Sequence, residues 1–459
     1  MKGIATVILA AGKGKRMRSK KAKVLHHIAG RPILFYPLEV AMRLSGAIVV
    51  VVGHQADSVK ELLERNAKIK IVFQDQLLGT GDAVKRTKDA LADFDGDILI
   101  LNGDLPLIRV MTIRDVIRAH RQKGSPVTLV TAIMENPAGY GRISRDRNNR
   151  LIKIIEETDA SEQEKGIREI NAGIYLFRKD ILFWALGRIG SDNRQGEYYL
   201  TDIIGVISGK GEEINTVSVS DPEEVTGINT RADLARSESI MRRRIADLHM
   251  QNGVTIIDPA NTSIDHEVKI GIDSIIYPYS RIEGRSSIGE DCIIGPHVRI
   301  RDTLIGKGVE IKDASVITGS RIEPGAVIGP FAHIRPGSLI KKGAKIGNFV
   351  EVKNSRIGTG SKANHLSYLG DAKIGNEVNI GAGTITCNYD GTKKYETTIG
   401  DGVFVGSDTQ FIAPVKIGKG SFIGAGSTIT EDVPPGSLAL SRAQQVNKKG
   451  WVKKKRCVE

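Results

Sequence analysis

Three groups of residues in the 459-residue chain have the types and spacing to do chemistry. The first is LAAGKGKRMRSKKAK at 9–23, opening at Leu9. Gly12 and Gly14 permit a tight turn whose backbone N–H groups can surround phosphate, and Arg16 and Lys23 add positive charge for its oxygens. The stretch is neither a P-loop nor a complete dinucleotide fingerprint, so a plain strand–helix turn is the alternative reading. The second group centres on Asp104, at the end of ILILNGDLP. A carboxylate at the C-terminal end of a parallel strand lies where ligands bind in open α/β sheets, and beside phosphate it points to Mg²⁺. Alone, it could instead cap the next turn. The third is His365 in ANHLSYLG. An unperturbed imidazole titrates at about 6.5 and can take a proton from an attacking amine, although a lone histidine is more often a loop residue.

Cys292, Cys387 and Cys457 are far apart and odd in number, which leaves neither a disulfide framework nor a C-x-x-C metal site; each reads as a small buried or peripheral residue. The formal net charge of +13 suits anionic small substrates as well as nucleic acid, but no reader element accompanies it, so nucleic-acid binding is the weakest reading. The basic run KKGWVKKKR at 448–456 reads first as a solvated end. No apolar stretch reaches membrane-spanning length and the N-terminus lacks a signal-peptide pattern, so the expectation is a cytoplasmic protein without a membrane partner.

The elements that must position these residues change character near residue 251. Before it, apolar runs at 6–10, 47–53, 97–104 and 126–133 alternate with helical stretches such as 34–44 and 57–66. Continuous apolar strands between helices predict a mostly parallel sheet covered on both faces. Residues 230–253 read as one arginine-rich helix ended by Asn252 and Gly253. The expected division is a domain at 1–229, a linker helix at 230–250 and a second domain at 251–459.

In the second domain aliphatic residues recur every six positions, from Ile270 through Ile300, then, after slips of one residue, from Ile305 to Ile317 and from Ile322 to Val352, and again from Ile399 to Ile429. A period of six fits neither a helix nor one alternating strand. It predicts a parallel β-helix with three flat faces, each hexapeptide supplying one face and its aliphatic pointing inward, with Gly, Asn or Asp helping the chain round the corner. Residues 359–369 read as a weak interruption of the sixes and 386–397 as a clear one; loops on a coil are often its binding face.

The stretch at 9–23 resembles the sugar-1-phosphate nucleotidyltransferase motif L-A-A-G-x-G-T-R-M-x-S-x-x-P-K, with Lys15 in place of Thr and Ala22 in place of Pro. Ala22 is expected to loosen the backbone before Lys23. The chain as a whole resembles the bacterial bifunctional N-acetylglucosamine-1-phosphate uridyltransferase and glucosamine-1-phosphate N-acetyltransferase family. That resemblance implies a Rossmann-like α/β nucleotidyltransferase domain followed by a left-handed parallel β-helix, a homotrimer, and the use of Mg²⁺, UTP and acetyl-CoA. It implies that Leu9, Gly12 and Gly14 line the nucleotide site and that Gln74, Gly79 and Thr80 contact the uracil side. A histidine often found after that stretch is Asp82 here. It places Mg²⁺ on Asp104 and Asn229, and the N-acetylglucosamine against Gly141, Glu156 and Asn171. On the coil it makes His365 the base and gives Arg335 and Lys353 the sugar phosphate. Tyr368 and Asn379 contact the sugar, Asn388 and Tyr389 shape the acetyl pocket, and Ser407, Ala425 and Arg442 approach coenzyme A. The competing reading keeps the nucleotidyltransferase and makes the coil an oligomerisation scaffold only.

Overall fold

The computed structural model describes residues 3–64 and 66–456; Cys457 lies outside them. The chain divides into two compact units, 1–241 and 242–459, the division falling inside the single helix Arg231–Gln251.

The first unit is built on a sheet of β1 (Gly3–Ala10), β2 (Ala47–Val52), β3 (Ile69–Phe73), β4 (Gly96–Asn102), β5 (Val127–Ile133), β6 (Arg142–Arg145), β7 (Leu151–Ile155), β8 (Glu169–Arg178) and β9 (Ile214–Ser218). Their order is β9-β5-β8-β4-β1-β2-β3, with β6 and β7 branching from β8. The strands are parallel except β8, which runs antiparallel between β4 and β5, and the β6–β7 pair. The continuous apolar runs follow from having a core on each face. Ile8 and Leu101 pack on one side with Leu38, Val59 and Ile113. Val7 and Ile100 pack on the other with Val84, Leu182 and Ile203.

The second unit is a parallel β-helix. Its two- to four-residue strands stack into three sheets of 11, 10 and 9 strands, each strand pairing in parallel with the one a full turn away. The hexad aliphatics point inward: Ile276, Ile282, Ile294, Ile300, Ile334, Val352, Phe411 and Ile423 are wholly buried. Burial of each such side chain is worth roughly 1.5–3 kcal/mol. Ile270, in the first strand of its stack, Lys269–Ile270, is only half-buried. Two residues before each inward aliphatic sits a second small buried side chain, such as Ser274, Cys292, Val309, Ser355 or Thr409. These serines bind the backbone across a turn: Ser355 Oγ donates to Leu369 O at 3.1 Å and accepts from Ala372 N at 2.8 Å. Cys292 is one of this series, buried as a small filler.

Two expectations are corrected here. Residues 359–369 do not interrupt the coil. Strands Lys362–His365 and Tyr368–Gly370 stack in register, with Ala363 and Leu369 wholly buried at inward positions. Alanine at one inward position, between corners shortened by one residue, hid the repeat. The only excursion here is at 388–396, between Ile385–Cys387 and Thr397–Ile399. The glycine after the inward aliphatic also has another role than turning the chain. Gly358 has ordinary φ, but a Cβ there would lie 2.0 Å from Gly375 O, so the residue keeps adjacent turns close. Left-handed corners are taken, as expected, by glycines further along such as Gly308, Gly325 and Gly360 and by Asp291, Asp302 and Asn354, and also by His297 and Phe349.

Candidate active sites

The glycine-rich loop expected to meet phosphate folds as a short 3₁₀ turn, Lys15–Met17, entered through Gly14 at φ 58° and pinned by buried Met17. Gly14 carries the conformational demand; Gly12 has no left-handed φ. Ala22 does not loosen the chain. Its φ of −55° is one that proline would impose, and its N–H, which proline would lack, donates to Gln55 Oε1 at 2.6 Å. Gln55 Nε2 in turn donates to Lys20 O, so one side chain clamps both ends of the Lys20–Ala22 segment. Lys15 is exposed.

Lys23 Nζ sits between Asp104 Oδ2, with which it is ion-paired, and Asn229 Oδ1 at 3.2 Å. A carboxylate and an amide oxygen converging on one ammonium form a hard-oxygen donor pair of the kind Mg²⁺ takes, and the ammonium stands in for a cation there. The two residues come from the end of β4 and from the segment before the helix Arg231–Gln251, whose Asp233 accepts from the Asn229 and Thr230 backbone N–H groups at 3.0 and 2.8 Å.

Next to this pair a cavity of about 250 Å³ opens at the C-terminal ends of β1 and β4. Of the residues expected from sequence, Leu9, Arg16, Thr80, Asp104, Gly141, Glu156, Asn171 and Asn229 line it. Gly12, Gly14, Lys23, Gln74 and Gly79 are not on its wall, although Lys23 reaches it through Asp104 and Asn229. Asn171 is turned by an irregularity in β8 between Asn171 and Tyr175. Its Nδ2 donates to Tyr175 Oη at 2.7 Å, and its Oδ1 accepts from Gly173 N at 3.1 Å. Glu156 accepts from Thr201 Oγ1 at 2.7 Å. Burial pushes its carboxyl above the ordinary range, with the Thr201 hydrogen bond opposing. Burial likewise pushes the Tyr175 phenol up. Tyr140, Tyr175 and Thr201 were not legible as site residues; nothing in their local sequence separates them from ordinary strand and turn positions. A larger cavity of about 760 Å³ surrounds Phe94, Asp97 and Arg178 at the start of β4. It contains none of the expected residues and lies at the wrong end of the parallel strands for an α/β ligand site.

On the coil, His365 ends its strand and is exposed. Its Nδ1 is 2.8 Å from Oδ1 of Asn348, its register partner one turn earlier. With the amide oxygen accepting, the ring proton belongs to Nδ1 and Nε2 keeps a lone pair, as a general base requires. The chain then turns at Leu366, and Tyr368 begins the next face. There Arg335 pairs with Glu351 at 2.8 Å, and Lys353 with Asp371 at 3.2 Å. Asp371 also accepts from Asn354 and from Asn388, whose Nδ2 lies 3.5 Å from Tyr368 Oη. Burial raises the Asp371 carboxyl, but the hydrogen bonds from Asn354, Lys353 and Asn388 outweigh it and hold the group below the usual carboxylate range. Arg335, Lys353, Tyr368 and Asn388 therefore share one corner, across the Leu366 turn from His365. Lys394, from the excursion, faces Lys353 and is pushed down by that ammonium. Sequence reasoning missed Lys394 and Asp371, although the paired lysines 393–394 inside the excursion were a signal.

Asn388 is buried, whereas Tyr389 is exposed, with its hydroxyl turned to Gly391 O. Asn379 pairs with Lys362 and Phe404 on the His365 face. Ser407 follows that face one turn later, and Arg442 donates to Ala425 O at 2.7 Å, joining two of the residues expected at coenzyme A. Residues 440–453, Trp451 among them, are exposed. Among the described residues no group of three or more His, Cys, Asp or Glu side chains is placed to hold a metal, and no helix is long and apolar enough to cross a membrane.

Comparison with known proteins agrees with this two-part arrangement. Residues 5–220 match the nucleotidyl transferase family, and 267–302, 319–354 and 396–431 match the bacterial transferase hexapeptide family. The chain is 50% identical over 452 residues to the "Bifunctional protein GlmU" of Pelobacter propionicus, covering 98% of each. It is 48% identical to that of Geobacter sulfurreducens over 99% of this chain and 100% of the relative. The protein of the same name from Thermoanaerobacter pseudethanolicus is 48% identical over 99% of both.

Proposed function

The chain belongs to the GlmU family of bifunctional proteins, and from that premise we propose that it makes UDP-N-acetylglucosamine in two steps at two separate sites. The observation that carries this reading is the presence, on one chain, of the Asp104–Asn229 cavity and of a coil bearing His365 beside a cationic, amide-lined corner.

The first step is acetyl transfer. The amine of glucosamine 1-phosphate attacks the thioester carbonyl of acetyl-CoA, His365 Nε2 takes the proton, and CoA leaves as the thiol. Arg335 and Lys353 hold the sugar phosphate, Tyr368 and Asn379 orient the sugar, and Asn388 and Tyr389 bound the acetyl pocket. Ser407, Ala425 and Arg442 meet coenzyme A. Direct attack needs no enzyme nucleophile, and burial pushes the Cys387 thiol up, away from the reactive thiolate.

The second step is uridylyl transfer. A phosphate oxygen of N-acetylglucosamine 1-phosphate attacks the α-phosphorus of UTP in line, and pyrophosphate leaves. The nucleophile is already an anion, so the protein's task is positioning and charge neutralisation. Arg16 and Lys23 supply positive charge at the triphosphate and sugar phosphate, and Glu156, Asn171 and Gly141 seat the N-acetylglucosamine. Leu9, Gly12, Gly14, Gln74, Gly79 and Thr80 hold the nucleotide. Mg²⁺ held by Asp104 and Asn229 would neutralise further phosphate charge. The hexapeptide coil supports assembly as a homotrimer with acetyl-transfer sites between adjacent coils.

The test is to incubate the protein with glucosamine 1-phosphate, acetyl-CoA, UTP and Mg²⁺ and to follow free CoA and pyrophosphate. Both are expected. Pyrophosphate formed only when pre-acetylated substrate is supplied would reduce the coil to a scaffold. CoA release without pyrophosphate would remove the uridylyl half.

A further inference from the structure

Asp82 occupies the position after the LGTG stretch where a histidine is often found, and its surroundings fix the side chain of Gln74. Gln74 follows β3 and is 4% exposed. Its Nε2 donates twice, to Gly79 O at 2.9 Å and to Asp82 Oδ2 at 2.8 Å. The same Asp82 oxygen accepts from Arg86 Nε at 2.9 Å, and Arg86 also lies 3.7 Å from Asp75. A backbone carbonyl and a carboxylate oxygen can only accept, so the amide nitrogen must face them both. A flipped amide would set its own oxygen against two others. Both Gln74 N–H donors are thereby used inside the protein. What remains is Oε1, which accepts none of the hydrogen bonds formed by the described side chains and is not a fully buried orphan.

We propose that Asp82 determines nucleobase specificity by holding the Gln74 amide so that it can offer the base an acceptor and nothing else. This rests on the reading that Gln74 meets the base of the nucleotide. An acceptor at that point is matched by a pyrimidine with an N–H at ring position 3, which uracil has. Cytosine presents a lone pair at the same atom, so two acceptors face each other and neither is satisfied. Sites built around a buried polar group reject a mismatched partner strongly, because the group is left unpaired. Asp82 itself need not touch the base.

The experiment compares kcat/KM for UTP and CTP in uridylyl transfer by the full-length protein, with the thermal unfolding transition of each variant reporting an intact fold. The wild type is expected to favour UTP by at least about 100-fold. Asp82→Ala removes the carboxylate acceptor and leaves the Gln74 amide held by Gly79 O alone, so that it can rotate. The UTP/CTP ratio is then expected to fall at least about tenfold, with CTP gaining as UTP loses. An unchanged ratio in Asp82→Ala overturns the proposal. Gln74→Ala separates the two layers. If it collapses the ratio while Asp82→Ala does not, the clamp is wrong and the base contact stands. If Gln74→Ala itself leaves the ratio intact, the base-contact reading fails and the proposal with it.

Discussion

Single residues divide the work between the two sites, and substitutions should divide with them. His365→Ala removes the imidazole proposed to take the amine proton and should lower CoA release by about 10²–10⁴-fold, with uridylyl transfer to pre-acetylated substrate unchanged. Equal loss of both activities would refute independent sites. Glu156 carries a pH-dependent cost. Its carboxyl is raised by burial, so the folded state disfavours the charged form. The cost is absent below about pH 4.5, where the group is protonated folded or unfolded, and grows as pH rises toward the folded value. Glu156→Gln keeps an oxygen for Thr201 and should raise the melting temperature at pH 7 but not at pH 4, while weakening uridylyl transfer. Calorimetry at the two pH values checks the sign. Some of this scale was legible and some was not. Asp104 and His365 stand at chemically telling places in their strands. Gln55, Asn348 and Thr201 act only by meeting residues distant in sequence, and no local pattern marks them.

At the scale of elements, the loop at 13–23 owes its order to a clamp from outside. Gln55, at the start of the helix Ala56–Leu63, ties down Lys20 and Ala22. Gln55→Ala should therefore raise KM for UTP several-fold and leave CoA release untouched, as steady-state kinetics of both reactions would show. On the coil, the excursion at 388–396 can be shortened without breaking a stacked face. Replacing it with a short glycine linker should abolish acetyl transfer, through loss of Asn388 and Lys394, while the circular-dichroism spectrum of the coil persists. Loss of the folded signal would mean that the excursion is structural. By contrast Phe411, wholly buried inside the coil, should cost about 3–5 kcal/mol as Phe411→Ala in denaturant unfolding. The hexad period was readable because one rule repeats at every face. It failed at 359–369, where Ala363 satisfies the inward position without looking like the residues around it.

At the scale of the molecule the two units answer different physical requirements. A doubly covered parallel sheet collects its strand ends at one edge, where β1 and β4 deliver Leu9 and Asp104 to a common cavity. A stacked coil has no such edge; it gathers function at its corners. If the acetyl-transfer sites lie between coils, dilution below the assembly threshold should abolish CoA release and spare uridylyl transfer, with sedimentation velocity recording the dissociation. The sequence alone determined the two architectures, because continuous apolar strands and a strict six-residue repeat each admit few packings. It also singled out the glycine-rich loop at 9–23, Asp104 and His365 as candidates, from residue type and local spacing. Only the tertiary structure decided which oxygens converge on Lys23, which way the Gln74 and His365 side chains are held, and where the coil truly breaks. Those outcomes depend on hydrogen-bond partners brought together by folding from Asn229, Asp82 and Asn348, and partner geometry has no one-dimensional signature.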